Sequence, residues 1–300
     1  MRNYQSIQRI LRVDLSLKEH VPWQVKIAVK IVLSRLPFGY RFWEKLSLFK
    51  HGEMERPEYA FGAFRKHFDR VEFTHKSEGF VALELGPGDS LFSALIAKAF
   101  GASKTYLVDV GPFADLDLAP YRRMASFLTE GGFSVPDLQN CHTWEKLAEA
   151  CSAHYLTEGI HSLQDIPSSS VDFVWSQAVL EHVRRDDFLP IFRELRRIQR
   201  TGGIGSHRVD LQDHLGGALN NLRFQTRTWE SAMMSNSGFY TNRIRYSEML
   251  DLFKQAGFQA EVAHADRWAT VPTPRRKMAP PFRGLPEEEL TISSFDVVLH

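Results

Sequence analysis

The chain has 300 residues and a formal net charge of +1 at pH 7, with 37 Lys and Arg against 36 Asp and Glu. That balance implies no global pull toward nucleic acid, and no apolar run approaches the roughly 18 residues of a membrane span. Two cysteines, Cys141 and Cys151, are too few for a disulfide framework and read as reduced thiols of a cytoplasmic protein. Three hundred residues are ample for one large domain with additions.

Asp14, Lys18 and Glu19 interrupt the apolar residues at the N-terminus, so no signal-peptide pattern is expected there. From residue 22, Val25, Ala28, Val29, Val32, Leu33 and Leu36 recur at helical spacing until Pro37 and Gly39. Tyr40 to Lys50 restarts a helix. Ile27 and Ile31 lie off the main stripe, which favours packing or capping over a basic surface helix resting on a membrane. Phe61 to Phe73 suggests one more helix, so residues 1–79 read as an N-terminal helical extension or cap and residues 80–300 as the main domain.

That domain opens with Val81-Ala-Leu-Glu-Leu-Gly-Pro-Gly-Asp-Ser90. An apolar strand carrying Glu84 runs into the turn Gly86-Pro87-Gly88, and a helical pattern follows from Leu91 to Phe100. A second strand, Thr105 to Val108, ends in Asp109, which lies 23 residues beyond Gly86. Strand, tight turn, helix and an acid at the next strand tip make half of a nucleotide site, for which a spacing of roughly 20 is expected. The turn lets backbone N–H groups approach a ligand, and the acid accepts from ribose hydroxyls. A dinucleotide fingerprint needs a third glycine at position 91, where Leu91 stands.

Further along, the pattern predicts helices over about 118–130 and 143–152, a weak strand at Tyr155-Leu156, and a loop from Thr157 to Asp165. Val171 to Ser176 reads as a central parallel strand. The next helix is expected to start near Leu180-Glu-His182, to be capped by Asp186 or Asp187, and to bury Phe188, Ile191, Phe192, Leu195 and Ile198, with Arg193, Arg196 and Arg197 in solvent. Strand five covers Ile204 to Val209. Residues 210–246 have little period and many polar and aromatic groups, as a lid or acceptor pocket would. Ser247 is expected to cap a helix ending at Gly257, Phe258 to Trp268 to form strand six, Val271 to Pro281 an extended loop, and Phe295 to Leu299 the last strand.

Glu84-Leu-Gly-Pro-Gly88, the block Ile166 to Val183, and the block Phe192 to Gly203 together resemble, in order and spacing, class I S-adenosylmethionine-dependent methyltransferases. Thr201 replaces the usual proline of the third block. The resemblance covers roughly residues 80–210 and implies an α/β fold of the Rossmann-like kind. Its mostly parallel seven-stranded sheet has helices on both faces, and the seventh strand inserts antiparallel beside the sixth. It implies S-adenosyl-L-methionine as cofactor, with Glu84, Gly86, Pro87 and Gly88 in the first motif, the glycines under the methionine part and Asp109 on the ribose. Many relatives carry Asp near the adenine; here Ser162 takes that position, with Leu163 beside it.

Methyl transfer to a hydroxyl or amine is helped by a base within hydrogen-bond reach. His214, just past strand five, is the first candidate, with Asp210 and Asp213 near enough in sequence to orient it; His182 is the second. His207, Asp210, Asp213 and His214 match no metal-ligand spacing, so no metal is expected. The expected activity is methyl transfer to a small-molecule or glycan-like acceptor, at oxygen. A nucleotide-dependent oxidoreductase or sugar-modifying enzyme, and a non-catalytic cofactor-binding relative, are the alternatives.

Overall fold

A computed structural model describes residues 23–25, 27, 54–76 and 79–300. The helices expected between residues 22 and 50 lie outside the described residues, except that 23–25 and 27 are helical. No helix among the described residues is long and apolar enough to cross a membrane.

The chain forms two compact units, each described here by itself. The larger gathers His51–Asp210, Ile244–Arg267 and Ile292–His300. In chain order it contains α1 (Pro57–Asp69), β1 (Val81–Leu85), α2 (Ser93–Ala99), β2 (Lys104–Val108), α3 (Leu118–Glu130), α4 (Trp144–Cys151) and β3 (Ala153–Leu156). Then come α5 (Ile160–Gln164), β4 (Val171–Gln177), α6 (Arg185–Ile198), β5 (Gln199–Asp210), α7 (Tyr246–Gln255), β6 (Ala260–Arg267) and β7 (Ile292–Leu299). The strands make one sheet in the order β3-β2-β1-β4-β5-β7-β6. β1 to β5 pair in parallel, and β7 runs antiparallel between β5 and β6. This is the topology the sequence implies.

Alternation along the central strands assigns the two faces. Phe173, Trp175 and Ile204 join Phe64 and Phe68 of α1, Leu95 of α2 and Met124 of α3 in one core. The neighbouring positions turn the other way, where the His207 ring meets Phe192 of α6 and Phe192 meets Phe253 of α7 at 4.8 Å. Both faces are therefore covered, as a parallel sheet requires. α1 also places His67 on the sheet, its Nδ1 2.8 Å from Ser206 Oγ and its Nε2 3.0 Å from Gln177 Oε1. Burial pulls His67 down to about 4 and His207 to about 3, so both rings are neutral. Lys66, Arg70 and Arg208 converge on Asp296 of β7, whose side chain is only 1% exposed.

Several local expectations need correction. The helix after β4 begins at Arg185, so His182 lies in the preceding turn, not in the helix. Its N-cap is Arg184 without a side-chain cap bond, while Asp186 and Asp187 sit in the first turn, favourable to the helix dipole. The apolar stripe is buried as expected, but Arg197 is not a free surface charge. It donates to Glu194 at 2.7 Å, Ser168 at 2.9 Å, Ile166 O at 3.0 Å, Leu163 O at 2.9 Å and Gln164 O at 3.3 Å. The region 157–165 is not wholly loop: it contains α5, and Arg197 satisfies the carbonyls at its end. α7 has Arg245, not Ser247, as its N-cap. β5 starts five residues before Ile204 and passes Gly203, where a Cβ would lie 2.9–3.0 Å from three carbonyl oxygens.

The second unit includes residues 211–243 and 268–291. Over these two segments its helices are short, such as Thr226–Trp229, Ala232–Ser235 and Glu287–Thr291. The expected extended loop at 271–281 holds a helical turn, Arg275–Lys277, and the start of Pro280–Arg283. Leu215, Trp229, Met234, Phe239 and Tyr240 form one buried cluster; Leu219, Leu222, Met278 and Leu290 form another. Arg243, at φ +58 and 4% exposed, stacks on Trp229 and on Phe282. Trp229 Nε1 donates to Thr241 O at 2.7 Å.

Candidate active site

β1 delivers the chain to Gly86 with no slack. Gly86 N–H donates to Val108 O at 2.8 Å, holding the start of the turn against the end of β2. At φ +71 the residue adopts a conformation that glycine favours, and a Cβ there would lie 2.5 Å from Val179 Cγ1. Pro87 is buried. Gly88 has φ +64, and among the described residues nothing beyond its chain neighbours lies within 4 Å of where its Cβ would stand, so the turn is open on that side.

Asp109 closes the same hollow from β2. Its Oδ2 accepts Gly88 N–H at 3.0 Å, and its Oδ1 accepts Val110 N–H at 2.7 Å. Its backbone is pinned on both sides, with N–H to Leu156 O and its carbonyl receiving Gly159 N–H, each at 2.9 Å. The glycine turn and the acid are thus tied directly to one another.

Glu84 lies beneath the turn at 2% exposure, and its Oε2 has no hydrogen-bond partner. Burial pushes its carboxyl up to about 8; Ser93 opposes the shift and the charge of Asp109 adds to it. Such an acid favours a positive ligand group that compensates the buried charge. Open space at Gly88, an acid for two hydroxyls and a buried carboxyl short of a partner fit a nucleoside that also carries positive charge.

Ser162 and Leu163 sit on α5. Ser162 Oγ accepts Glu158 N–H at 2.9 Å, and Leu163 is 1% exposed. The residue that sequence reasoning missed here is Val110, immediately after Asp109. Its side chain is 75% exposed and sits over Gly159, with Cγ1 3.3 Å from that residue's would-be Cβ. Only its position after the acid could have singled it out. Two phenols fix the adjoining loops. Tyr155 accepts from Phe113 and Ala114 N–H at 3.0 and 3.3 Å and donates to Gly111 O. Tyr121 accepts from Leu91 N–H and donates to Asp115 O at 2.7 Å.

The carboxyl ends of β4 and β5 supply the remaining groups. After Gln177, Ala178 takes φ +53 and donates to Arg208 O, and His182 N–H closes the turn onto Val179 O at 2.8 Å. Between them, Glu181 is 2% exposed, its carboxyl beside the backbone amides of its own residue and of Asp210. Burial raises its carboxyl well above the usual range, and Asp210 adds to the shift. The backbone amides of Glu181 and Asp210 and the Arg208 guanidinium oppose it. Asp210 is the last residue of β5 and pairs with Ser294. His207 faces α6 and hydrogen-bonds Ser176, away from this edge. His214 is exposed and belongs to the second unit. Asp213 does not orient it: one oxygen accepts Leu215 and Gly216 N–H and the other Asn220 N–H, so the carboxylate builds the loop.

Residues 83–206 match a family model described as a methyltransferase domain. No curated protein shows significant sequence similarity to the chain. Among solved structures, it is similar to an S-adenosylmethionine-dependent methyltransferase from Archaeoglobus fulgidus, at 11% identity and TM-score 0.47 over 87% of this chain and 99% of that one. One from Mesorhizobium loti shares 16% identity, TM-score 0.43, over 83% and 99%. One from Aquifex aeolicus shares 15%, TM-score 0.41, over 87% and 98%. The matched stretch runs from the glycine turn through Asp109 to β5, the same residues that build the hollow. With the strand order and antiparallel β7, it favours a methyltransferase over the dinucleotide-oxidoreductase reading. Residues 83–206 thus carry a methyltransferase domain, with S-adenosylmethionine as its cofactor.

Proposed function

We propose that this methyltransferase acts on an oxygen of a small-molecule or glycan-like acceptor. The observation that supports this cofactor seat is the hydrogen bond of Gly88 N–H to Asp109 Oδ2 at 3.0 Å, which joins the turn to the acid. Asp109 takes the ribose hydroxyls, the open side of Gly88 admits the methionine part, and Glu84 answers its positive charge. The exposed Val110 offers the adenine ring an apolar face beside Gly159, with Ser162 and Leu163 behind it on α5. When bound, the cofactor supplies an electrophilic methyl group on a sulfonium.

Oxygen is supported by the ionisable groups at the carboxyl edge of the sheet, where open α/β sheets bind ligands. His182 and Asp210 stand there, and His214 follows in the segment after β5 that we assign to acceptor choice. A hydroxyl acceptor must shed a proton as it reacts, and such groups receive or relay it.

Titration calorimetry with S-adenosylmethionine and S-adenosylhomocysteine tests the seat. The wild-type protein is expected to bind both. Asp109→Ala is expected to lose roughly 1.5–3 kcal/mol of affinity for each hydrogen bond removed. Unchanged affinity in a folded Asp109→Ala protein contradicts the ribose assignment, and absence of binding to the wild type contradicts the seat as a whole.

A further inference from the structure

No strand crosses the segments 211–243 and 268–291, and no helix in them exceeds five residues. Helices that short are not stable alone, so the order of these segments rests on side-chain packing. Part of that packing comes from far away in the chain. Trp23, Gln24, Val25 and Ile27 are helical, and Trp23 and Ile27, four residues apart, share one helix face. Ile27 is 9% exposed and joins Leu215, Trp229, Met234, Phe239 and Tyr240 in their buried cluster. Trp23 meets the Phe224 ring edge-on at 5.9 Å, and the Arg223 guanidinium lies over the Trp23 ring, 5.3 Å from its centre. Both partners are fixed in turn. Arg223 Nε donates to Asn220 Oδ1 at 2.9 Å, and the Phe224 ring packs on Trp229 at 5.2 Å. Val25, between the two anchors, turns the other way and is 47% exposed.

We propose that the helical turn carrying Trp23 and Ile27 is a strap. Docked, it orders the segments that choose the methyl acceptor; released, it loosens them while the cofactor seat stays formed. This rests on the assignment of residues 210–246 to acceptor choice. The cluster and the strap stabilise one another, because each buries apolar surface that the other would otherwise expose to water. Such coupling is reciprocal: an acceptor that binds the ordered segments also favours the docked strap, and a released strap weakens acceptor binding by the same factor. The cofactor seat is held by other means, the backbone bonds of Gly86, Gly88 and Asp109 inside the larger unit. The two halves of the reaction thus depend on different parts of the chain.

Hydrogen exchange of the full chain, read by mass spectrometry without ligand, tests the strap. In Ile27→Asp and in Trp23→Ala, amides of 211–243 are expected to lose protection by about tenfold or more, while β1 to β5 keep theirs. Val25→Asp, on the opposite face, is expected to exchange as the wild type does. Calorimetry should give both anchor variants the wild-type affinity for S-adenosylhomocysteine. Where Ile27→Asp leaves no folded protein, Trp23→Ala decides, because it removes only a half-exposed ring. Unchanged protection of 211–243 in Trp23→Ala overturns the proposal, as does equal loosening by Val25→Asp. Exchange that spreads to β1 to β5, or a fall in affinity for S-adenosylhomocysteine, overturns it too, since the segment would then belong to the core fold and not to a strap. A wild-type protein that fails to bind S-adenosylhomocysteine sinks the cofactor seat instead, and the exchange pattern still decides the strap.

Discussion

The edge of the sheet between β1 and β2 and the unit made from residues 211–243 and 268–291 are built on opposite principles. At the edge, the backbone does most of the work: Gly86 N–H on Val108 O, Gly88 N–H on Asp109 and Gly159 N–H on Asp109 O. In the other unit, side chains build the scaffold. Arg243 lies between Trp229 and Phe282, Asp213 gathers three backbone amides, and Tyr240 OH reaches Glu230 at 2.7 Å. A site made from backbone geometry tolerates many side chains but few changes at glycine. One made from interlocked rings and buried charges fails when a single large side chain is removed.

The largest effect is expected at Trp229, 0% exposed and in ring contact with Phe224, Phe239 and Tyr240. Trp229→Ala should cost about 3–5 kcal/mol in the unit that contains it, and it also strands Thr241 O. Hydrogen exchange should rise across 211–243 and 268–291. Protection unchanged from wild type in those segments would show that the aromatic cluster does not hold them.

Next comes a contrast in pH. His67, 0% exposed, titrates at about 4 in the folded state against 6.5 unfolded. The unfolded chain therefore binds its proton first, and stability is lost as pH falls from about 6.5 toward 4, by about 3 kcal/mol from this group. Glu84 has the opposite sign. Its folded carboxyl titrates at about 8 against 4.5, so the ligand-free protein loses stability as pH rises through that window. Denaturation curves from pH 4 to 8 should show His67→Gln flattening the acid limb and Glu84→Gln the alkaline one. If either variant leaves its own limb unchanged, that group is not the one titrating.

What the sequence disclosed follows the same division. The strand, turn, helix and acid from Val81 to Asp109 were legible because each piece is local: apolar runs, two glycines, one carboxylate at a fixed distance. The stripe of α6 was legible for the same reason. Arg197 was misread because its partners at 163–168 lie some thirty residues away in the chain and become neighbours only once α5 and α6 pack. Glu181 looks like one residue of a helix start; its burial exists only in three dimensions. Val110 carries no signal beyond its place after Asp109, since an apolar residue after a strand is the commonest event in such a fold. His182 was put in the helix because Leu-Glu-His is helix-compatible, yet the Ala178 turn delays the helix to Arg185.

The smallest expected change in stability sharpens the comparison most. Gly86 is the wrong place to ask whether the turn binds ligand, because a methyl group there collides with Val179 and damages the fold as well. Gly88 separates the two effects. Its φ of +64 means that alanine carries a left-handed penalty of about 1–2 kcal/mol. Among the described residues no atom beyond the chain neighbours stands within 4 Å of the added carbon, so their packing is otherwise untouched. The new methyl instead fills the space assigned to the methionine part of the cofactor. Gly88→Ala should therefore melt only a few degrees below wild type while its affinity for S-adenosylhomocysteine, measured by calorimetry, falls by more than tenfold. If the affinity falls no further than the backbone penalty accounts for, the open side of the turn is not where the ligand lies, and the seat must be drawn from Asp109 and Val110 outward instead.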